Sequence, residues 1–306
     1  AHSVFKLTEV LDALAAQGDT ASLATLQRAV DEMTPNDPRR PAVLADLARA
    51  YATAGWPQEA YATLAQACEA RPYTPDLHRE AAALAATLGD NHAARAHLRH
   101  ALALQPGRSD WRAALARLLA DAGGWQQAAD ELTRAAHDAP GEPMYRAELG
   151  RAYLSLGRWA DATQALRAAI ALDNSVAEWH ALCAEGLARM GEGEASDPTL
   201  RAASEHLAEA IRLAPDNTLY QRRLAALQRR TGDSAAARAT LIATLNRAPD
   251  DADLYAELGL TCEADGDLDA ALAAFEQAIR LDPIASAARS GAARAHAARG
   301  EFAAAA

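Results

Sequence analysis

Eight glycines divide most of this chain into equal lengths. They stand at positions 55, 89, 123, 157, 191, 232, 266 and 300, so the successive gaps are 34, 34, 34, 34, 41, 34 and 34 residues. Proline keeps the same period. Pro72, Pro106 and Pro140 are 34 apart, Asn174 stands where the next proline is due, and Pro215, Pro249 and Pro283 follow. The gaps around Asn174 reproduce the one irregular step of the glycine series. Two rulers with the same period and the same single exception define a tandem array of one supersecondary unit. A unit of that length cannot bury its own apolar face, so the array must stack, each copy covering the next.

The pattern inside one period is helical. In the unit from Pro143 to Val176, Leu149, Gly150 and Tyr153 share one face of a first helix, and a turn comes at Gly157. Trp159, Ala162, Leu166, Ala169 and Ile170 then share one face of a second helix. These are spacings of three and four, the period of a helix face. Gly150 and Ala162 are small where the two helices must approach closely. About a quarter of all residues are Ala, the best helix former, and the β-branched residues that favour strands are scarce. The fold class expected is all-α.

The stretch Tyr255–Pro283, "YAELGLTCEADGDLDAALAAFEQAIRLDP", carries a family signature. It reads Tyr255-x2-Leu258-Gly259-x2-Cys262, then Ala271-x3-Phe275, then Pro283. Leu47, Tyr51, Gly55, Ala60, Leu64, Ala67 and Pro72 repeat the theme in an earlier unit. This resembles the tetratricopeptide repeats, with Tyr255 where the signature has Trp and Cys262 where it has Tyr. The resemblance covers essentially the whole chain. It implies an α-α superhelix, a right-handed solenoid of helix-turn-helix units in which the first helix of each unit lines a concave groove. The units are 4–37, 41–74, 75–108, 109–142, 143–176, 177–217, 218–251 and 252–285, with a partial ninth at 286–306. Unit 177–217 carries a seven-residue insertion, "EGEASDP" at 192–198, after which Asp197 as N-cap and Pro198 as first helical residue restart the second helix.

Several functions are excluded by what the 306 residues contain. The formal charge of −11 argues against nucleic acid, which needs a basic surface. The three cysteines, Cys68, Cys183 and Cys262, lack the spacing of a disulfide framework or a zinc motif and are read as buried thiols. No apolar run is long enough to enter a membrane, and the beginning of the chain does not read as a signal peptide. The location read from this is cytoplasmic, or periplasmic if a leader has been removed. No catalytic constellation is found, and no cofactor or metal is expected. His92, His97 and His100 are read as a solvated outer face, and Trp125 and Trp159 as core.

The resemblance places the candidate site in the groove, on first-helix positions away from the Leu-Gly-Tyr seam. The charged candidates are Arg49, Arg117, Arg151, Glu185, Arg189, Arg222, Arg223, Arg229, Arg230 and Glu263, beside Asp46, Arg79, Glu80, Asp121, Glu148 and Glu257. The apolar candidates are Met144, Leu154, Leu182, Leu219 and Leu260. Segment 218–251 has six Arg against Asp233, Asp250 and Asp251, a basic island in an acidic chain. It reads either as a clamp for acidic side chains or a C-terminal carboxylate, or as a face paired internally. The function expected is a non-catalytic scaffold or adaptor that binds a peptide or extended protein segment, as a monomer or weak homo-oligomer. The alternatives are a substrate-docking arm of a larger enzyme, such as a transferase whose catalytic domain lies beyond residue 306, and a self-assembling scaffold.

Overall fold

The computed structural model describes residues 20–191 and 198–300. Sixteen helices and no strand occur among the described residues. Their packing divides the chain into two compact units, Ala1–Pro140 and Gly141–Ala306. In the first, α1 (Thr20–Asp31) packs on α2 (Arg40–Thr53). Three antiparallel hairpins are formed by α2 with α3 (Pro57–Ala70), α4 (Pro75–Thr87) with α5 (Asn91–Leu104), and α6 (Ser109–Asp121) with α7 (Trp125–Asp138). In the second, the pairs are α8 (Pro143–Ser155) with α9 (Trp159–Leu172), α10 (Ala177–Met190) with α11 (Pro198–Leu213), α12 (Thr218–Arg230) with α13 (Ser234–Leu245), and α14 (Ala252–Ala264) with α15 (Leu268–Leu281). Helix α16 (Ser286–Ala298) covers the last pair. Within each unit every helix also packs on the next in sequence, so the all-α stack of hairpins is observed.

The periodic glycines end the first helices. Gly55, Gly89, Gly123, Gly157, Gly232, Gly266 and Gly300 have φ between 71° and 82°, a region that glycine enters without steric penalty. The N–H of the following residue reaches back five places, as in Trp56 N to Tyr51 O at 2.9 Å and Asp267 N to Cys262 O at 3.0 Å. This closure satisfies helix-end carbonyls and reverses the chain. Aspartate then opens several second helices. The Asp90, Asp233 and Asp267 carboxylates accept from Ala93 N at 2.9 Å, Ala236 N at 3.0 Å and Ala270 N at 3.1 Å. Gly191 departs from the series with φ −85°. The turn that follows it carries the insertion, of which residues 192–197, including the expected cap Asp197, lie outside the described residues. Helix α11 does begin at Pro198. Of the expected first unit, 4–37, residues 4–19 likewise lie outside the described ones.

The core is a stripe on the second helices, small–large–small. It reads Ala60-Leu64-Ala67, Ala94-Leu98-Ala101, Ala128-Leu132-Ala135, Ala162-Leu166-Ala169, Ala203-Leu207-Ala210 and Ala271-Phe275-Ala278, all buried. In α13 it is Ala237-Leu241-Thr244, where the Thr244 hydroxyl donates to Thr240 O at 2.7 Å. All three cysteines are buried and free. Trp125 and Trp159 are only half-buried, in the first turn of their helices. The buried indoles are instead Trp111 and Trp179, third residues of first helices, at 2% and 4% exposure. Trp159 nonetheless packs against the core of the second unit.

Phe275 shows how tight this packing is. A Cβ on Gly259 would lie 2.5 Å from its Cδ1, and one on Gly291 would press at least as closely on its Cζ. The ring is thus held between α14 and α16 by two residues without side chains. Gly259→Ala should therefore overpack this point and destabilise the final hairpin by about 1–3 kcal/mol. Hydrogen exchange should show amides of α14 to α16 losing protection while α2 to α7 are unchanged; equal protection throughout would contradict this packing account.

Candidate functional site

Successive first helices stand side by side within each unit, and the space between neighbours forms open pockets. One of about 200 Å³ lies between α2 and α4, lined by Ala48, Arg49, Ala52, Arg79, Glu80 and Ala83. A second, about 400 Å³, lies between α4 and α6, with Ala82, Ala83, Trp111, Ala114 and Leu118 below Arg79, Asp110 and Arg117. A third, about 290 Å³, lies between α10 and α12, where Ala181, Ala184, Ala188, Ala226 and Leu227 sit under Glu185, Arg189, Arg223 and Arg230. The construction is the same each time. Alanines, with no side chain beyond Cβ, leave open space at the floor, and charged side chains, several of them partly exposed, stand on either side.

Ion pairs tie the rims of neighbouring first helices together. Arg49 meets Glu80 at 3.0 Å and Asp46, one turn back, at 2.9 Å. Arg151 meets Glu178 at 2.8 Å, and Arg294 meets Glu263 at 2.8 Å. The basic island of α12 is engaged in the same way. Arg222 pairs with Asp253. Arg223 reaches Glu185 at 3.3 Å, and Arg229 reaches Glu257 at 3.0 Å. Arg230 donates to the Ala188 carbonyl at 3.2 Å. Of the two readings of this island, internal pairing describes three of the four guanidiniums on α12, and also Arg238 on α13, which meets Asp265 at 3.1 Å. Each pair leaves donors over, because a guanidinium has five N–H groups.

The remaining predicted residues distribute as follows. Met144 is exposed at the start of α8. Leu182, Leu219 and Leu260 are half-buried, with only part of each side chain on the surface. Leu154 is buried, and its Cδ2 lies 3.3 Å from where a Gly186 Cβ would be, so it packs between α8 and α10 and offers nothing to a groove. Asp46 is also buried, beneath Arg49. The pocket floors themselves were missed by sequence reading. They are mostly alanines, with Trp111, Leu118 and Leu227 among them, and nothing in an alanine marks whether it lies in a seam or beneath an opening.

The histidine reading needs a correction. His92 and His100 are exposed, but His97 is half-buried and turned inward. Its Nδ1 lies 3.0 Å from Nδ1 of the buried His78, and its Nε2 lies 3.4 Å from the Tyr61 hydroxyl. The register of α5 alone placed it on the outer face; the chemistry that draws it in comes from α3 and α4. A second such pair, His180 and His206, has Nδ1 atoms 3.1 Å apart.

A stack of antiparallel helix pairs, each closed by a left-handed glycine and repeated at fixed length, defines a helical-repeat interaction scaffold. The tetratricopeptide-repeat family models match residues 85–147, 119–186 and 252–284, and these stretches are tetratricopeptide repeats. Among solved structures it is similar to the C-terminal part of a tetratricopeptide-repeat protein from Cytophaga hutchinsonii, with a TM-score of 0.59, 14% identity, 93% of this chain covered and 98% of that one. MamA from Desulfovibrio magneticus RS-1 aligns with a TM-score of 0.51 at 19% identity, over 58% of this chain and 96% of that one. YrrB aligns with a TM-score of 0.51 at 16% identity, over 62% and 95%. Identities this low speak for the fold alone. No curated protein has a significant match to the sequence. Among the described residues, no helix is long and apolar enough to cross a membrane.

The ion-pair geometry predicts coupling between α12 and α14. In a double-mutant cycle, Arg229→Gln and Glu257→Gln should show about 1 kcal/mol of interaction in denaturant unfolding, since both side chains are largely shielded from solvent. Strict additivity would mean that the pair does not hold these helices together.

Proposed function

We propose that this protein is a non-catalytic scaffold that holds a peptide or extended protein segment along its first helices. The observation that carries the reading is the recurrence of one pocket design between α2 and α4, α4 and α6, and α10 and α12. A repeated pocket suits a repeated ligand, and an extended chain offers side chains at regular intervals. The apolar floors supply contact area, and the rims supply orientation. Support also comes from YrrB, described as a tetratricopeptide-repeat protein with an unusual peptide-binding site.

The rims favour an acidic segment. Arg49 and Arg79 stand against Glu80, Arg79 and Arg117 against Asp110, and Arg189, Arg223 and Arg230 against Glu185. Arginine is in excess among the side chains lining each pocket, most clearly between α10 and α12, while Asp46 beneath Arg49 evens the count between α2 and α4; the chain as a whole carries −11. The segment proposed therefore combines small apolar anchors with Asp, Glu or a C-terminal carboxylate.

Selection from a display library of random peptides should return sequences of this kind. Ala83→Phe and Ala226→Phe, which fill the floors, should each weaken a selected peptide about tenfold or more while helicity is retained. Arg230→Glu should weaken it further at low salt than at high salt, because the rim charges are exposed and screened. Selected peptides without acidic residues would refute the charge preference. Affinity indifferent to both fillings would refute the groove.

A further inference from the structure

We propose that the first unit contains a zinc site formed by Cys68 of α3, His78 of α4 and His97 of α5. Each residue offers one ligand atom, and these atoms all lie within 4.8 Å of one another. The two histidines meet through their Nδ1 atoms at 3.0 Å. Two nitrogens on one tetrahedral zinc stand about 3.3 Å apart, given zinc–nitrogen bonds of about 2.0 Å. Sulfur and nitrogen on one tetrahedral zinc stand about 3.5 Å apart, so within the 4.8 Å spread of the three atoms an adjustment of about 1 Å would let them share an ion.

The surroundings prepare these atoms. Nε2 of His78 lies 3.1 Å from the Pro72 carbonyl oxygen, which can only accept. Nε2 therefore carries the proton, and Nδ1 presents its lone pair to the cluster. A backbone carbonyl holding the far nitrogen is the usual support for a metal-bound histidine. His97 has the Tyr61 hydroxyl 3.4 Å from its own Nε2, a partner for that nitrogen in either tautomer. Cys68 and His78 are 4% and 7% exposed, so competing water is scarce. His100 donates to the same Pro72 oxygen at 2.8 Å and covers the His78 ring.

Burial, then Glu80 and Glu69, push the Cys68 thiol up to about 11, so an ion bound here must displace a firmly held proton. Binding replaces the S–H bond with S–Zn and moves the His97 proton from Nδ1 to Nε2. One proton is released per ion, and the fourth tetrahedral position falls to water. Thiolate with imidazole is a donor set suited to zinc rather than to magnesium or calcium. The ion would bridge the α2–α3 and α4–α5 hairpins.

The second unit supplies a control. There the Cys183 thiol lies 3.5 Å from Nε2 of His206, while His180 meets Nδ1 of the same ring at 3.1 Å. The ring stands between the other two, and its nitrogens point apart, so these three groups do not converge on one point.

The test uses the full chain, stripped of metal and kept reduced without thiols, titrated with Co²⁺ and then Zn²⁺ at pH 7. One Co²⁺ per chain should produce a thiolate charge-transfer absorption with release of one proton, and Zn²⁺ should abolish the absorption by displacing Co²⁺ without further proton release. Cys68→Ser should remove the band, and His78→Gln and His97→Gln should weaken metal binding about tenfold or more. His78→Gln has a precedent for folding, since Gln221 occupies the equivalent place and donates to Pro215 O at 2.7 Å. Cys183→Ser and His206→Gln should bind as wild type. No thiolate band in the wild-type chain, or a band that survives Cys68→Ser, would overturn the assignment.

Discussion

The small–large–small stripe of the second helices is the constraint on which the other features depend. A leucine or phenylalanine flanked by alanines one turn away on either side fits a groove of the partner helix and lets the backbones come close. Repetition of the stripe from α3 to α15 sets each first helix at a similar height over its partner. That alignment is why an arginine in one hairpin meets a carboxylate 27 to 31 residues away in the next, as with Arg151 and Glu178 or Arg49 and Glu80. The ion pairs are a consequence of the stripe, not its substitute, since exposed pairs contribute little stability each.

Pairing does not remove these arginines from recognition. A carboxylate occupies two N–H groups of a guanidinium at most, and the planar fork is held in place by the bond it makes. A rim arginine tied to its neighbouring helix has less freedom to lose when a second carboxylate arrives. Pairing therefore lowers the net attraction for acidic ligands while improving the geometry offered to them. In α12, Arg223 and Arg229 are held this way across opposite faces, toward α10 and α14 respectively.

The repeat, the helices and the glycine turns were legible in the sequence because each is local. A left-handed turn needs glycine, and a helix face repeats every three or four residues whatever lies opposite. The burial of the cysteines followed from the same face. What depended on the facing element was not legible. Leu154 was placed in the groove by its distance from the Leu-Gly-Tyr seam, yet Gly186 on α10 opens a space that the leucine fills. His97 lies on the outer side of its own hairpin, but Cys68 and Tyr61 of the preceding hairpin make that side an interface. Trp125 and Trp159, read as core, are half-buried, and Trp159 packs against the core of the second unit.

One register position shows how the joints between hairpins are made. The fourth residue of a first helix repeatedly donates a hydrogen bond to the carbonyl six places earlier, where the preceding second helix has ended. His78 does so to Pro72, Arg112 to Pro106 at 2.6 Å, His180 to Asn174 at 3.3 Å and Gln221 to Pro215. The carbonyl needs a donor because the turn leaves it without a helical partner. Any side chain with an N–H at the right reach satisfies it, which is why four positions hold three residue types. Histidine differs from the others in having a second nitrogen. Once Nε2 is committed to the carbonyl, Nδ1 is left facing the next helix with a lone pair, and what the chain does with it depends on what that helix presents. At His78 it finds His97 and Cys68 converging; at His180 it finds a ring that separates it from the thiol. The same backbone requirement thus places a potential ligand in both halves of the chain, and only the neighbouring hairpin decides which one has company.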